Sequence, residues 1–312
     1  MSTLYLDRKG TALSASRSSL QVSEGGESRL RTLPMSLLER IVVQHNCQID
    51  SNTLLALSRN GISLIVLGKR GDVAHLLGTP HKNAEPRVLQ YRLFQHSSIC
   101  EQLAVETVHA RIAAQERLLQ QLCDRRADLN YPLSRAIRSL RQQLLQLDPG
   151  TGIPRLRGIE GGAAASYFRG FSTLFPPSLQ FRGRKRRPPP DPVNALLSLG
   201  YTLLHSDAVK AAWCSGLDPW VSYYHDLSYG RESLASDLIE SHRHHVERMV
   251  WELFSSRTIG TDHFSQVNNS VLLNKAGRKI FYQHWEGQAP ALRRVMRMQG
   301  YRLVRWLQEQ NQ

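Results

Sequence analysis

Cysteine is scarce in this 312-residue chain, and what there is stands apart. Cys47, Cys100, Cys123 and Cys214 form no C-x-x-C pair and follow no regular spacing. That excludes a zinc ribbon or a disulfide scaffold and leaves the four as small core residues. Long apolar runs are missing too: no stretch approaches the roughly eighteen uninterrupted apolar residues of a membrane span. The opening residues reach a charge at Asp7 without the apolar centre of a secretory leader. A soluble, intracellular protein without membrane contact is expected. Acidic residues are also in short supply, 26 against 40 Lys and Arg, for a formal net charge of +14. The excess is spread along the chain, so a polyanion is the natural partner. A merely soluble basic protein, or one resting on acidic lipid, stays open on composition alone. Two reaction classes drop out with their motifs: there is no G-x-S-x-G nucleophile turn and no G-x-x-x-x-G-K-[ST] phosphate loop.

What is present falls into two parts. From Thr3 to about Gly78, short runs of strand character alternate with turn chemistry. Leu4 to Leu6, Leu13 to Val22, the turn Glu24-Gly25-Gly26-Glu27, Leu38 to Val43 and Ile62 to Leu67 read as antiparallel sheet. A helix between Ser51 and Arg59, capped by Ser51 and closed by Asn60-Gly61, interrupts it. After Pro80 the period changes from two to 3.6, which puts a boundary near residues 79–86. Val108, Ile112, Leu119 and Leu122 share one stripe of a long helix within Pro86 to Arg126. Leu133, Ile137, Leu140, Leu144 and Leu147 form a second, ended by Asp148-Pro149-Gly150. Asp191-Pro192 starts a helix running to about His205, and another begins around Ser233. The expected class is therefore α+β: a strand-rich domain over residues 1–82, then a larger all-α domain over residues 83–312. Within the latter, Phe181 to Asp191 carries five positive side chains and then three prolines, which no helix interior tolerates. It is a loop, either gripping a phosphate backbone or simply solvated.

Two stretches carry chemistry. In Leu156 to Phe168 a lone carboxylate, Glu160, stands among glycines and alanines that let a helix or a substrate backbone come close. A lone Glu is more commonly a surface group. In the second stretch, Gly216-Leu-Asp-Pro leads to Tyr224-His225 and then to a helix with Asp237 and Glu240 three residues apart. Like charges so placed share one face and repel unless water or a cation relieves them. Carboxylates with one imidazole suit Mg²⁺ or Mn²⁺ better than Zn²⁺. The plainer reading of the pair alone is the wet face of an amphipathic helix, and of His225 a histidine satisfied by a backbone carbonyl. His242, His244 and His245 spread over several helix faces and read as surface groups.

Taken together, Glu-Gly-x-Ala-Ala-x-x-Tyr-Phe at 160–168, Arg-Pro-Pro-x-Asp-Pro-Val-Asn-Ala-Leu-Leu-Ser-x-Gly-Tyr at 187–201, Gly-Leu-Asp-Pro at 216–219, Tyr224-His225 and Ser-Leu-Ala-x-Asp-Leu-Ile-Glu at 233–240 are distinctive. They resemble the CRISPR-associated protein 1 family, the metal-dependent integrase and endonuclease of spacer acquisition. Thr32 to Tyr91 is similar to that family's N-terminal domain and first helix. Ser222, where the family more often has glycine, and Ser241-His242, where an acidic and aromatic pair is common, depart from the pattern. The resemblance implies Mg²⁺ or Mn²⁺ on Glu160, His225 and Glu240, with Asp237 beside them as a supporting carboxylate or an alternative ligand. It further implies a homodimer formed through the N-terminal domain, the small CRISPR-associated protein 2 as partner, and double-stranded DNA, spacer precursor and CRISPR repeat, as substrate in a prokaryotic cytoplasm. Tyr167 and Tyr201 are candidates for positioning a DNA end, although both could be core aromatics. Arg157, Arg184, Lys185, Arg186 and Arg187 are candidates for backbone contacts. A DNA-binding protein without catalysis, or a nuclease of branched repair intermediates, is the alternative.

Overall fold

The computed structural model describes residues 2–23, 30–68, 72–78, 83–185 and 188–311. The turn expected at Glu24 to Glu27, part of the boundary near 79–86, and Arg186 and Arg187 lie outside these residues. Two compact units make up the chain, Met1–Lys82 and Asn83–Gln312.

In the first unit, β1 (Ser2–Leu6), β2 (Thr11–Ser16), β3 (Ser19–Ser23), β4 (Leu30–Pro34), β5 (Leu38–Val43), β6 (Cys47–Ile49), α1 (Ser51–Arg59), β7 (Ser63–Leu67) and β8 (Val73–Leu76) build two four-stranded sheets, ordered β1-β5-β7-β8 and β4-β3-β2-β6. The run Leu13 to Val22 splits into the β2–β3 hairpin, turned at Arg17 with φ of 52°. The expectation of antiparallel sheet holds only in part. β1 pairs β5, β5 pairs β7 and β2 pairs β6 in parallel. The reason is α1: a helix between two strands returns the chain to the end it started from, so β5 and β7 run the same way. The helix cap also differs from expectation. Asp50, not Ser51, is the N-cap, its carboxylate accepting from the Thr53 amide at 2.8 Å. Leu13, Leu20, Met35, Ile41, Leu57 and Ile62 fill a core shared by both sheets and α1.

The second unit is mostly helical: α2 (Glu85–Leu93), α3 (Ser97–Arg125), α4 (Asn130–Leu144), α5 (Ile153–Ser172), α6 (Pro192–Cys214), α7 (Ser233–Ile239), α8 (Arg243–Ser255) and α9 (Lys275–Gln310), with a small hairpin of β9 (Phe264–Val267) and β10 (Ser270–Leu273) before α9. The hairpin escaped the helical reading because its strands are only four residues each. The long helix expected within Pro86 to Arg126 is α3, which carries Val108, Ile112, Leu119 and Leu122, and the shorter α2 precedes it across a break at Phe94 to His96. α3, α4 and α5 pack on one another through the two leucine-rich stripes, where Val108, Ile112, Leu119, Leu133, Ile137 and Leu140 are all buried. α6 is buried along most of its length and serves as the axle of the rest, touching α7, α8, α9 and β10. Asp191 caps it as expected, accepting from the Asn194 amide at 2.8 Å. The layers meet where α3 rests against the turn at Glu240 to His242 and against α8. Of the cysteines only Cys123 is buried; Cys47, Cys100 and Cys214 are half-exposed, so the core-residue reading was too broad. His242 is buried against Gln299, its ring 3.0 Å from the amide oxygen, and His244 and His245 are half-buried rather than surface groups. Their helix packs that side inward, and burial lowers the His244 pKa to about 3 and that of His245 to about 4. No helix among the described residues is long and apolar enough to cross a membrane.

α6 and α8 come closest at Gly200, where an added Cβ would stand 2.4 Å from the Val246 side chain. Gly200→Ala should therefore lower stability by about 1–3 kcal/mol through overpacking, despite the better helix propensity of alanine. A thermal melt checks this, and an unchanged or raised midpoint would contradict the close approach.

Candidate active site

The chain brings Glu160 from the middle of α5, His225 from the loop after α6, and Asp237 and Glu240 from α7 and the turn behind it to one place. Asp237 is fully buried and Glu240 is 2% exposed, so the wet-face reading of that pair is wrong. Burial of two carboxylates three residues apart demands partners for each, and each has its own kind.

Asp237 is consumed by the loop. Its Oδ2 accepts from the Tyr223 and Tyr224 amides and its Oδ1 from the His225 amide, each at 3.2 Å, while Oδ1 lies 2.5 Å from His225 Nδ1. Burial raises its pKa, opposed by the imidazole and these amides. His225 is thus held by a carboxylate rather than by the backbone carbonyl considered for it. With Nδ1 engaged, Nε2 is the ring atom turned to Glu240, 3.9 Å from Oε1. Gln90 on α2 pins the start of the same loop, its side chain donating to the Asp218 and Val221 carbonyls at 3.0 and 2.7 Å and accepting from the Asp218 amide at 2.8 Å. Gly216, with φ of 81°, lets the chain turn into it. Ser222, at the position that departs from the family pattern, donates its hydroxyl to the His225 carbonyl and so adds a tie across the loop.

Glu240 is gripped by two guanidinium groups. Arg243 donates to both its oxygens, Nε to Oε2 and Nη2 to Oε1, each at 2.9 Å. Arg111, from the middle of α3, reaches Oε2 at 2.8 Å and with the same Nη1 also binds Glu160 Oε1. Burial alone would raise the Glu240 pKa; Arg111 and Arg243 overcome it and hold the carboxyl far below the ordinary range. The other oxygen of Glu160 accepts from the Tyr224 hydroxyl. Among the described residues no three of His, Cys, Asp and Glu are already arranged as a metal cage. Instead one organic cation bridges the two carboxylates.

Tyr167 and Tyr201, candidates for positioning a DNA end, are placed otherwise. Both are buried, and both donate to Glu247 at 2.7 Å, one to each carboxylate oxygen. They are core residues: burial and the neighbouring Glu247 hold both hydroxyls protonated, far above their usual pKa. Arg243 lies over the Tyr201 ring at 4.8 Å, linking this buried group to Glu240. The basic candidates divide as well. Arg157 pairs with Asp226 at 2.6 Å and donates to the Tyr224 carbonyl, bracing the histidine loop. Arg184 folds back onto α6, donating to Asn194 at 2.9 Å and Ser198 at 3.2 Å, so it fastens the loop rather than reaching outward. Lys185 is exposed.

A family model described as "CRISPR associated protein Cas1" matches residues 4–287. The chain belongs to the Cas1 family. A CRISPR-associated endonuclease Cas1 of Thermodesulfovibrio yellowstonii is 37% identical over 96% of this chain and 96% of its own length. Another, from Thermus thermophilus, is 32% identical over 91% of this chain and 81% of its own. In fold, the chain is similar to a casposase bound to integration product, with a TM-score of 0.89 at 20% identity, covering 99% of this chain and 91% of that one. It is likewise similar to a Cas1 protein from Thermotoga maritima, at 0.83 and 22%, over 98% and 97% of the two chains. A strand-rich first unit and a mostly helical second one are thus the Cas1 architecture.

Four residues of the site were not read from sequence: Gln90, Arg111, Arg243 and Glu247. Arg111 left a trace, since it lies between Val108 and Ile112 on the buried side of α3, where a charge is out of place. Arg243→Met should cost about 3–5 kcal/mol, because Glu240 then stays buried with one counter-charge. Denaturant unfolding measures it, and a loss below about 1 kcal/mol would mean the pair is solvent-screened. Tyr167→Phe and Tyr201→Phe should each cost about 1–3 kcal/mol by leaving a Glu247 oxygen unpaired, with DNA affinity unchanged. Weakened DNA binding at unchanged stability would return these tyrosines to a substrate role.

Proposed function

We propose that this Cas1-family protein is a divalent-metal-dependent DNA endonuclease and integrase that inserts DNA fragments as new spacers into a CRISPR array. The observation that carries the reading is the arrangement around His225 Nε2. One ring nitrogen is locked on Asp237, and the other is left facing Glu240, which shares the Arg111 cation with Glu160. An imidazole whose second nitrogen is fixed by a buried carboxylate is the usual form of a metal-bound histidine. The donor set fits the hard ions Mg²⁺ or Mn²⁺, with Glu160, His225 and Glu240 as ligands and Arg111 standing in as a cation. Asp237, with all its contacts on the loop, is the orienting carboxylate rather than an alternative ligand.

The ion, when bound, supplies Lewis acidity to the phosphoryl oxygen and lowers the pKa of the attacking hydroxyl. The chain's own residues hold the ligand set. Asp237 fixes the tautomer and direction of His225, Arg243 keeps Glu240 ionised, and the Tyr224 hydroxyl sets the rotamer of Glu160. In the strand transfer, a 3′-hydroxyl oxygen of the incoming DNA forms a bond to phosphorus at the repeat edge as the existing ester P–O bond breaks. One phosphodiester is exchanged for another, so no nucleotide cofactor is consumed. Double-stranded DNA as substrate accords with the net charge of +14 and with the casposase neighbour, which is bound to an integration product. A Cas2 protein as partner accords with the similar fold of the Cas1 portion of a Cas6-RT-Cas1–Cas2 complex, with a TM-score of 0.83 over 99% of this chain. Dimerisation through the first unit and a cytoplasmic location belong to the same reading.

Glu160→Gln should reduce Mn²⁺-dependent cleavage and joining of branched DNA by at least about 100-fold, more than the loss of an outer partner such as Asp237. DNA binding should be retained. Gel assays that resolve cut from joined products decide it: full activity in the variant overturns the metal site, and cut products without joined ones point to a repair nuclease instead.

A further inference from the structure

Arg111 is held in the carboxylate site through a single nitrogen. It reaches across from α3, and its Nη1 binds Glu160 Oε1 and stands 2.8 Å from Glu240 Oε2. Its Nε and Nη2 make no hydrogen bond among the described residues. The side chain lines a concavity of about 510 Å³ together with Ala164, Ala165 and Phe168 of α5. With two alanines on that wall, the guanidinium has room to withdraw.

The other partners in the cluster are each held at more than one point. Arg243 grips both oxygens of Glu240 and lies over the Tyr201 ring. His225 is fixed on Asp237 by its amide and its ring. Tyr224 donates its hydroxyl to Glu160 Oε2, and its own amide is tied to the buried Asp237. Both oxygens of Glu160 are therefore committed, one to a pinned tyrosine and one to Arg111. A divalent ion held by Glu160 and Glu240 together needs the place where Nη1 stands. Like charges a few ångströms apart repel several-fold more strongly in a mostly buried site than in water. Glu240 is 2% exposed and Arg111 10%, so little water screens them. Of the groups on Glu160, Arg111 is the one that can yield, because its long unbranched chain turns about several bonds without moving α3.

We propose that Arg111 is an internal competitor of the divalent cation. In the metal-free protein it occupies the place between Glu160 and Glu240, and it withdraws from Glu160 toward the concavity when the ion is held. The exchange regulates loading: the site stays charged and ordered without metal, and it takes metal only at a concentration that outcompetes its own arginine. This rests on the reading that Glu160, His225 and Glu240 bind the ion, and it adds what holds their place beforehand.

The test follows Mn²⁺ binding to the chelator-treated full chain, without DNA, through loss of the free-ion electron paramagnetic resonance signal. Apparent affinity falls with the fraction of protein in the competent state, and minor states are commonly populated at about 0.1–10%. Arg111→Ala should therefore bind Mn²⁺ at least about tenfold more tightly than the wild type. Methylguanidinium, which returns the missing group, should compete with Mn²⁺ in the variant and leave the wild type unchanged. A variant that binds Mn²⁺ no more tightly, or that binds Mn²⁺ and methylguanidinium independently, overturns the competition alone. Should Arg111→Ala fail to fold, wild-type crystals soaked in Mn²⁺ decide, with the ion located by its anomalous scattering. Arg111 should then have left Glu160, and a contact kept beside the bound ion overturns the proposal. Glu160→Gln with wild-type Mn²⁺ affinity overturns instead the metal site on which it rests.

Discussion

A carboxylate that is 2% exposed cannot stay ionised unless cations come to it, and around Glu240 that requirement organises the helical unit. Arg243 follows it at the head of α8, and Arg111 crosses from α3. Because Arg111 also takes Glu160, α5 is tied to the same point. The three-helix layer and the helices around α6 therefore meet on an ionic junction rather than on a purely apolar seam. Arg243 carries the constraint one step deeper, lying over Tyr201, whose hydroxyl satisfies the buried Glu247. Removing Arg243 leaves Glu240, 2% exposed, with a single counter-charge in a place that water scarcely reaches.

Much of this was legible because the local signals are strong. Asp191-Pro192 announces α6 and the leucine stripes announce α3 and α4, whereas the glycines beside Glu160 face open space, Gly158 and Gly161 with nothing within 4 Å of an added Cβ, and the close helix approach falls at Gly170. Resemblance joined those pieces into a family, and the family match extends over residues 4–287. What escaped has no local signature. Tyr167 and Tyr201 lie 80 and 46 residues from Glu247, and nothing in their spacing says that they converge on one carboxylate. An exposed aromatic and a buried one that donates a single hydrogen bond look alike in a sequence. The parallel pairing of β5 and β7 was within reach, because a helix between two strands dictates it, yet short strands with turn residues suggested a meander.

The basic loop shows how charge misleads when its partners are unknown. Arg184 counted toward a DNA grip, but it is spent on Asn194 and Ser198. Arg135, Arg138 and Arg169 attracted no notice, being scattered singly along the helices, and like several other exposed arginines they make no ion pair among the described residues. Net charge counts cations; only the fold tells which of them are already committed.

The four acids of the site differ in the same way, and that difference ranks their chemistry. Glu247 is satisfied by two tyrosine hydroxyls and Asp237 by three amides and an imidazole, all anchored by the backbone or the core. Glu240 keeps Arg243 whatever Arg111 does. Glu160, with 19% of its side chain exposed, is the most open of the four, and its partners are Tyr224 and Arg111, whose side chain lines a concavity. The least buried bond in the cluster is therefore Arg111 to Glu160. On the proposed reading Glu160, His225 and Glu240 would hold a divalent ion whose charge would stand where the Arg111 guanidinium now does, and the contacts of Asp237, Arg243 and Glu247 do not depend on that bond. That asymmetry lets a basic protein hold four carboxylates in one place and still leave one of them open to solvent.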